Sequence, residues 1–433
     1  MAPGEQYPHQ PVITELRLTA FKSFRDAVLR FQPTTILIGQ NGAGKSNVLD
    51  GLEVLSRLAL GETLADALDS RRREGGPIRG GSRGCAPHGS DYFALGCTVD
   101  FDGVLYLYDI EVQIKPTLEV RSEIFSIQRG EKRDVLYHSA EHEERDPRRP
   151  YLTKLTDVVD DDLELALDFI APISALRDIF HLDPYPSDMR NYVAETDHKL
   201  RRGADNISPV LFALRERDEK RFGKIQDQVQ AIAASKVIGL DFLKAEGGEV
   251  MLALLEKGCG DPGDIKGCGD PGDIEKTPAS QMSDGMLRYA AIVTSLLADR
   301  AGLDAVTNSN KLETIEGVQL VIEELENGLH PSQAKKLLEL VRTSNETNAV
   351  RVLLTTHSPA LLDAVEGTLN SSVIVCYYDE DAGYSKLIPL MEMSDYPTVM
   401  AQGSLGSVVT EGKFSAARSD DSDYSEFYEF LGL

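Results

Sequence analysis

A glycine-rich stretch near the amino terminus carries the clearest chemical signal in the sequence. Gly39–Ser46 reads GQNGAGKS and fits the pattern G-x-x-x-x-G-K-[ST]. In such a turn, successive backbone N–H groups and the start of the following helix form a cradle for anions. Lys45 would reach the β- and γ-phosphates of a nucleotide, and Ser46 would ligand Mg²⁺. We therefore assign to nucleotide binding Gly39, Asn41, Gly42, Ala43, Gly44, Lys45, Ser46 and Asn47.

Two adjacent carboxylates follow a second apolar strand. The segment LVIEELENGLHP places Glu323 and Glu324 at the end of that strand. Burying two such groups is unfavourable unless a cation compensates, and Mg²⁺ with ATP would do so. Neighbouring residues of a strand point to opposite faces, so Glu323 can serve the metal while Glu324 meets the attacking water as general base. The alternative is one edge carboxylate and one solvated carboxylate.

A histidine ends another apolar strand, in the segment LLTTHSPALL. A lone histidine is usually structural. The inferred sheet, however, brings this strand end beside the glutamate pair, and this favours a role for His357 in sensing a γ-phosphate. Glu324 and His357 are therefore the candidate catalytic residues.

The elements around these motifs predict two kinds of sheet. In the C-terminal part, strands alternate with helices, which indicates a parallel sheet that binds ligands beyond the carboxyl ends of its strands. In the N-terminal part, YFALGCTVDFDGVLYLYDIEVQI alternates around Asp102-Gly103, a hairpin signal, and RSEIFSIQRGEKRDVLYH indicates a second hairpin. From about residue 160 to 235 the pattern is helical, without the sustained heptads that coiled-coil arms need.

The composition restricts the cellular setting. The chain has 433 residues, of which 42% are apolar, and its length suggests two or three domains. No apolar run reaches the roughly 18–20 residues that span a bilayer, and the start does not have the pattern of a signal peptide. Five cysteines fit a reducing compartment, and their spacing offers no zinc quartet. These features predict a cytoplasmic protein without a membrane partner.

The net charge of −25 limits how the chain could bind nucleic acid. An acidic protein binds DNA only through a local basic patch. Three segments are candidates, although each is more often an ordinary solvated face: Arg71–Arg73, Arg145–Arg149 and Lys199–Arg202.

A perfect duplication interrupts the middle of the chain. KGCGDPGDI occurs at Lys257–Ile265 and again at Lys266–Ile274. One interpretation is a ligand-binding loop that uses Cys259, Cys268 and the aspartates. The other is a tandem duplication in a tolerant surface loop, which the density of glycine and proline favours.

The whole pattern resembles the ABC-type ATPase class that includes RecF, SMC and OLD-family proteins. More closely, it resembles stand-alone prokaryotic ATPases, of AAA type, found in phage-defence gene pairs. The likeness runs from about Ile13 to Phe414 and includes DPYPSDMR at Asp183–Arg190 and GADN at Gly203–Asn206. It implies an α/β fold: an ABC-type P-loop ATPase head with an antiparallel β lobe, a central parallel sheet and a helical insertion.

Four segments are predicted on this basis. They are an N-terminal ATPase lobe with the Walker A loop and the antiparallel sheet (1–130), a helical insertion with the repeated Gly/Pro loop (131–275), a C-terminal ATPase lobe with signature, Walker B strand and His switch (276–414), and an acidic tail (415–433). The tail interleaves acidic and aromatic residues, so it could dock in a groove of a partner or pack on its own domain.

The resemblance also implies a second nucleotide-contacting turn, in QMSDGMLRYAAI. In the family this turn is the signature, which caps the γ-phosphate of ATP bound to the other protomer. Ser283, Asp284 and Gly285 would occupy it here. The chain departs from the family pattern at Asp284, where transporters have glycine, at Glu323, where aspartate is usual, and at Leu325, where proline is usual. The Q-loop glutamine is not placed; Gln113 and Gln128 are weak candidates.

The function that the resemblance implies is ATP hydrolysis with Mg²⁺ by a homodimer or higher homo-oligomer that shares its ATP sites. The ATPase would control an effector, a nuclease encoded by a neighbouring gene, in anti-phage defence. The alternative is a RecF-like DNA-repair clamp that acts on DNA. A transporter's ATP subunit is disfavoured by the antiparallel hairpins and the large insertion.

Overall fold

The computed structural model describes most of the chain. The described residues are 10–72, 75–141, 146–152, 163–233, 235–257, 274–298, 302–304, 318–347, 350–364, 367–393 and 405–406. The KGCGDPGDI duplication, between residues 258 and 273, and the acidic tail, 415–433, lie outside the described residues.

Strands form two sheets in the described part of the chain. In chain order the strands are β1 (Val12–Phe21), β2 (Phe24–Arg30), β3 (Thr34–Ile38), β4 (Tyr92–Phe101), β5 (Val104–Gln113), β6 (Glu119–Arg129), β7 (Lys132–His138), β8 (Ile179–Leu182), β9 (Val193–Ala194), β10 (Val237–Lys244), β11 (Glu249–Lys257), β12 (Ile274–Pro278), β13 (Val318–Ile322), β14 (Val350–Thr356), β15 (Val373–Asp379) and β16 (Tyr384–Pro389).

The larger sheet has twelve strands in the order β7-β6-β5-β4-β1-β2-β16-β15-β3-β14-β13-β8. Strands β7 to β2 pair antiparallel, and β15, β3, β14, β13 and β8 pair parallel. Every residue of β3 and β13 is buried, as expected for parallel strands covered on both faces. The antiparallel lobe and the parallel sheet are thus one continuous mixed sheet, and the carboxyl ends of the parallel strands share one edge.

Helices cover both faces of the sheet. In chain order they are α1 (Lys45–Leu58), α2 (Leu64–Asp69), α3 (Gly81–Cys85), α4 (Leu163–Arg177), α5 (Pro186–Met189), α6 (Ile207–Arg217), α7 (Glu219–Ile232), α8 (Asp284–Leu297), α9 (Pro331–Thr347) and α10 (Pro359–Ala364).

Successive side chains of β3 point into two different hydrophobic cores, one on each face of the sheet. Leu37 packs with Leu52 of α1 on one face, whereas Ile36 and Ile38 belong to the core formed with α8 and α9 on the other face. Adjacent strand residues point to opposite faces, so one short strand anchors both layers. Among the described helices, none combines the length and the apolar character that crossing a bilayer requires.

Both predicted hairpins are confirmed. Strands β4 and β5 meet at Asp102 and Gly103, whose φ angles of 57° and 78° suit a tight hairpin turn. Strands β6 and β7 form the second hairpin, so the antiparallel lobe continues past residue 130. The boundaries at residues 130, 275 and 414 stay predictions.

The segment predicted as a helical insertion also contains strands. Its helix α4 ends at Arg177, and β8 then joins the large sheet beside β13. A second sheet follows, in which β11 pairs with β9, β10 and β12, all antiparallel. The helical pattern did not predict these strands, because a short apolar run such as that of β8 is assigned to strand or helix by its neighbours in space.

Candidate functional site

The phosphate loop, Gly39–Ser46, connects β3 to α1. Its glycines Gly39, Gly42 and Gly44 have φ angles of 152°, 81° and 116°. A side chain is excluded at two of them, because a Cβ atom on Gly39 would lie 2.1 Å from the Cys376 carbonyl oxygen and one on Gly44 would lie 2.8 Å from Ser385 Oγ. The loop is therefore held in its turn by strands β15 and β16, which lie directly behind it.

Lys45 lies inside this loop. Its Nζ donates hydrogen bonds to the carbonyl oxygens of Gly39, at 2.6 Å, and Gln40, at 3.0 Å. Burial lowers the pKa of Lys45, against the attraction of nearby anionic groups that include the Glu324 carboxylate. The phosphates of a nucleotide would offer this ammonium group a charged partner in place of neutral carbonyls.

The predicted metal ligands are in direct contact. Ser46 Oγ, in the first turn of α1, donates to Glu323 Oε1 at 2.6 Å, just beyond the end of β13. Among the described residues, no group of three or more histidines, cysteines or acidic residues could hold a metal ion. A hydroxyl and a single carboxylate fit Mg²⁺, which takes its other ligands from water and from substrate phosphates.

An arginine that sequence analysis did not single out lies against this pair. Arg79 Nη2 donates to the Ser46 carbonyl at 2.8 Å, and its Nη1 lies 3.6 Å from Glu323 Oε1. Its Nε donates to Asp50 Oδ1 at 3.0 Å, and Lys22 Nζ donates to its backbone carbonyl at 2.7 Å. Arg79 lies in the Gly- and Arg-rich segment 71–84, RRREGGPIRGGSRG, and nothing there distinguishes it from its neighbouring arginines, because only the fold brings it to the Glu323 carboxylate.

Glu324 begins a tight turn after β13. Its φ of 50° breaks the strand, and its N–H donates to Thr355 Oγ1 at 2.9 Å. Asn327 Nδ2 donates to Glu324 Oε2 at 2.5 Å, and the side chain is 42% exposed. The turn separates the two carboxylates, so that Glu323 meets Ser46 while Glu324 faces the end of β14.

His357 follows β14 and faces two carboxylates. Its Nδ1 lies 3.9 Å from Glu324 Oε1 and 3.3 Å from Glu326 Oε1. Its backbone N–H donates to the same Glu326 oxygen at 2.8 Å. Glu326 is only 11% exposed, and its Oε2 has no hydrogen-bond partner among the described residues. Sequence analysis missed Glu326, although it is a third carboxylate only two residues beyond Glu324.

The signature turn, Ser283–Gly285, begins helix α8 as the sequence predicts. Ser283 caps the helix by accepting from the Met286 N–H at 3.3 Å. Gly285 is buried against the turn after β13, since a Cβ atom there would lie 2.1 Å from the Gly328 carbonyl oxygen. Ser283 and Asp284 are exposed, and Asp284 Oδ1 accepts from Arg190 Nη2 at 2.5 Å.

The predicted residues therefore form two groups. The phosphate loop, the glutamate pair and His357 meet at the carboxyl ends of β3, β13 and β14. The signature turn is separate: in the described part of the chain, no hydrogen bond or ion pair joins residues 283–285 to residues 39–47.

The two glutamines considered for the Q-loop are in the antiparallel lobe. Gln113 and Gln128 each donate to a nearby backbone carbonyl, at the edges of β5 and β6. Neither glutamine is near the carboxyl ends of the parallel strands. There, β8 lies beside β13, and Asp183 follows the last residue of β8. Asp183 and Glu323 line the same small cavity, which is open to solvent.

The inner wall of this cavity contains a buried titratable pair. Burial lowers the pKa of His181 to about 4, so the imidazole is neutral at pH 7. Burial opposes ionisation of Glu53, but nearby positive charge outweighs it and holds the pKa of Glu53 at about 2. This charge comes first from His181, whose imidazole is protonated in the low pH range where Glu53 titrates, and then from Arg202 and Arg57; Arg202 Nη1 donates to Glu53 Oε1 at 2.8 Å.

The fold and the site define a class of protein. The phosphate loop connects β3 to a helix, a histidine follows the neighbouring strand β14, and acidic residues follow the next strand, β13. With the antiparallel lobe that continues the same sheet, this arrangement is that of an ABC-type P-loop ATPase. The family model described as "AAA domain, putative AbiEii toxin, Type IV TA system" matches residues 34–363, and the chain belongs to this family. The resemblance to ABC-class ATPases and the predicted fold class are confirmed.

Individual relatives extend this comparison. An ATP/GTP phosphatase of Helicobacter pylori is 23% identical over 385 residues, which cover 82% of this chain and 88% of that protein. The DNA replication and repair protein RecF of Cyanothece sp. is 47% identical over 47 residues, or 11% of this chain and 12% of that protein.

Solved SMC heads are similar at lower identity. The SMC head bound to the C-winged helix domain of ScpA is 14% identical, with a TM-score of 0.47 over 87% of this chain and 97% of that chain. The SMC head domain of Thermotoga maritima is also 14% identical, with a TM-score of 0.41 over 87% of this chain and 98% of that chain.

Proposed function

We propose that this ABC-class ATPase hydrolyses ATP with Mg²⁺ in a homodimer that shares two ATP sites, and that it controls a separately encoded effector, a nuclease, in anti-phage defence. Each site would combine the phosphate loop, glutamate pair and His357 of one protomer with the signature turn of the other.

The placement of the signature turn carries this proposal. Ser283 and Asp284 are exposed at the start of a fourteen-residue helix, whose N-terminus favours anions. Gly285 is fixed from behind by Gly328, and no bond in the described part of the chain links the turn to its own phosphate loop. An exposed helix N-terminus without a bond to the phosphate loop of its own chain is suited to the nucleotide of a second copy.

In the proposed reaction, Glu324 takes a proton from the water whose oxygen bonds to the γ-phosphorus of ATP, while the bond from that phosphorus to the β–γ bridging oxygen breaks and ADP leaves. Asn327 holds its Oε2, which leaves Oε1 on the side of His357. His357, held by Glu326, contacts the γ-phosphate, and Lys45 neutralises phosphate charge. Mg²⁺ supplies electrostatic stabilisation of the phosphates when it is bound by Ser46 and Glu323. Arg79 balances the Glu323 charge from the other side.

The role in defence is supported by the family, whose description names a toxin of a toxin–antitoxin system. In this proposal, the nuclease chemistry belongs to a separate protein that the ATPase controls. A partner of this kind would be encoded by a neighbouring gene.

A RecF-like clamp on DNA is the second candidate, and the short likeness to RecF favours it. Two of the three basic segments, Arg145–Arg149 and Lys199–Arg202, weigh against it, because three of their described arginines pair with carboxylates. Arg148 pairs with Asp146 at 3.0 Å, Arg202 pairs with Glu53 at 2.8 Å, and Arg201 pairs with two aspartates. Paired guanidinium groups have less charge to offer to phosphates in DNA.

The shared site is tested by Ser283→Arg, with Thr117→Arg as a control in an exposed turn of the antiparallel lobe. Light scattering with and without ATP–Mg²⁺ should show that the wild type and Thr117→Arg double in mass. Ser283→Arg should bind a fluorescent ATP analogue but remain monomeric and inactive. If Ser283→Arg associates and hydrolyses ATP as the wild type does, the sites are not shared.

The effector is tested by co-expression with neighbouring genes and affinity purification. A nuclease should co-purify with the ATPase. Tight, salt-sensitive DNA binding by the isolated protein, without a co-purifying partner, would favour the RecF-like clamp instead.

A further inference from the structure

The signature turn contains an acidic residue where it should meet phosphate. Asp284 is the first residue of α8, and its side chain is 66% exposed. A carboxylate at this position stabilises its own helix, because it complements the positive N-terminal end. The same carboxylate would repel the phosphates of ATP unless another group compensates its charge.

Arg190 is that group. Its Nη2 donates to Asp284 Oδ1 at 2.5 Å and to the Met282 carbonyl oxygen at 2.9 Å. One guanidinium group thus holds the carboxylate and the backbone on both sides of Ser283. Arginine is suited to this role, because its donors form a rigid planar fork that stays charged.

The position of Arg190 is itself fixed by packing. It follows α5, whose last residue, Met189, is fully buried. Two backbone hydrogen bonds hold the start of the segment. The Asp183 N–H donates to the Arg202 carbonyl at 2.9 Å, and the Tyr185 N–H donates to the next carbonyl, that of Gly203. Little freedom remains for the guanidinium to leave the signature turn.

We propose that Arg190 is a positioning residue of the signature turn, on which the shared ATP site depends. It neutralises Asp284 and fixes the backbone at Met282, so that Ser283 and the N-terminus of α8 can meet the phosphates of ATP held by the second copy. This inference rests on the proposed shared site and adds to it the residue that makes an acidic signature turn compatible with nucleotide.

The segment 183–190 gives this residue a second connection. It begins at Asp183, which lines a cavity together with Glu323, and it ends at Arg190 on the signature turn. One short segment therefore joins the region of Glu323, in a protomer's own site, to the signature turn that the same protomer would offer to its partner.

The test compares Arg190→Ala with Arg190→Ala/Asp284→Asn by light scattering and phosphate release over a range of ATP–Mg²⁺ concentrations. An uncompensated charge near phosphate should raise the concentration for half-maximal association by about tenfold or more in Arg190→Ala. Because the pair is partly exposed, added salt should reduce this defect. The double variant, which removes both charges, should regain most of the association. A purely structural loss at position 190 would respond to neither change.

Two controls accompany the test. Arg121→Ala removes an exposed arginine that pairs with Glu111 at 2.7 Å in the antiparallel lobe, and it should behave as the wild type. Arg190→Lys keeps the charge without the planar fork and should be intermediate. If Arg190→Ala does not fold, Arg190→Lys takes its place in the comparison. Adding Asp284→Asn to Arg190→Lys should then reverse the smaller association defect of that variant.

The outcomes separate the two proposals. If Arg190→Ala associates as the wild type does, or if Asp284→Asn fails to rescue it, Arg190 has no positioning role. If the wild type hydrolyses ATP without associating, or if Ser283→Arg stays fully active, the shared site is wrong and the role of Arg190 in it falls as well.

Discussion

Replacing Glu324 by glutamine tests the proposed chemistry most directly. Asn327 Nδ2 donates to Glu324 Oε2 at 2.5 Å, and a glutamine can accept the same bond through its amide oxygen. Its NH₂ group then takes the place of Oε1, the oxygen on the side of His357. The shape of the turn is kept, but the group facing the proposed water can no longer take a proton.

The expected effect on rate follows from this single change. Loss of a general base slows a reaction by roughly 10²–10⁴-fold. This corresponds to about 3–5 kcal/mol in the activation free energy. Nucleotide binding should survive, because Lys45 and Ser46 keep all of their contacts. The variant should therefore accumulate as a dimer loaded with ATP.

Phosphate release at saturating ATP–Mg²⁺, together with light scattering, measures both consequences. Glu339→Gln, an exposed change of the same kind on α9, should leave both unchanged. Hydrolysis by Glu324→Gln at the wild-type rate would refute the assignment and make Glu326, which also faces His357, the next residue to test. A variant that binds ATP without associating would refute the shared site instead.

Two further predictions concern packing and pH. Gly285→Ala should destabilise the protein and lower ATP-driven association, because its Cβ would lie 2.1 Å from the Gly328 carbonyl oxygen. The control Gly223→Ala lies in an open position on α7 and should raise the free energy of unfolding in urea by about 0.5–1 kcal/mol. The buried His181, with its pKa lowered from 6.5 to about 4, takes up a proton more readily in the unfolded chain, so the free energy of unfolding should fall by on the order of 3 kcal/mol between pH 6.5 and 4. Urea titrations should show this pH-dependent loss in the exposed control His198→Gln and not in His181→Gln; an equal loss in both would contradict the assignment.

The sequence by itself determined the elements whose signals are local. The phosphate loop follows an apolar strand and opens α1, the glutamate pair and His357 each follow an apolar strand, and Ser283 begins α8. Each signal needs only a turn and the periodicity of the residues beside it, which neighbouring residues specify. The hairpins of the antiparallel lobe were predictable for the same reason.

The tertiary structure decided which of these elements meet. Ser46 and Glu323 are 277 positions apart in the chain, and only the order of strands in the parallel sheet brings them into contact. Arg79 had no signal of its own, and the motif DPYPSDMR that ends at Arg190 did not indicate what this arginine contacts, because an arginine in a glycine-rich or proline-containing segment has no periodicity. Their roles come from ion pairs with carboxylates on distant elements, and the packing of the whole chain sets such pairs.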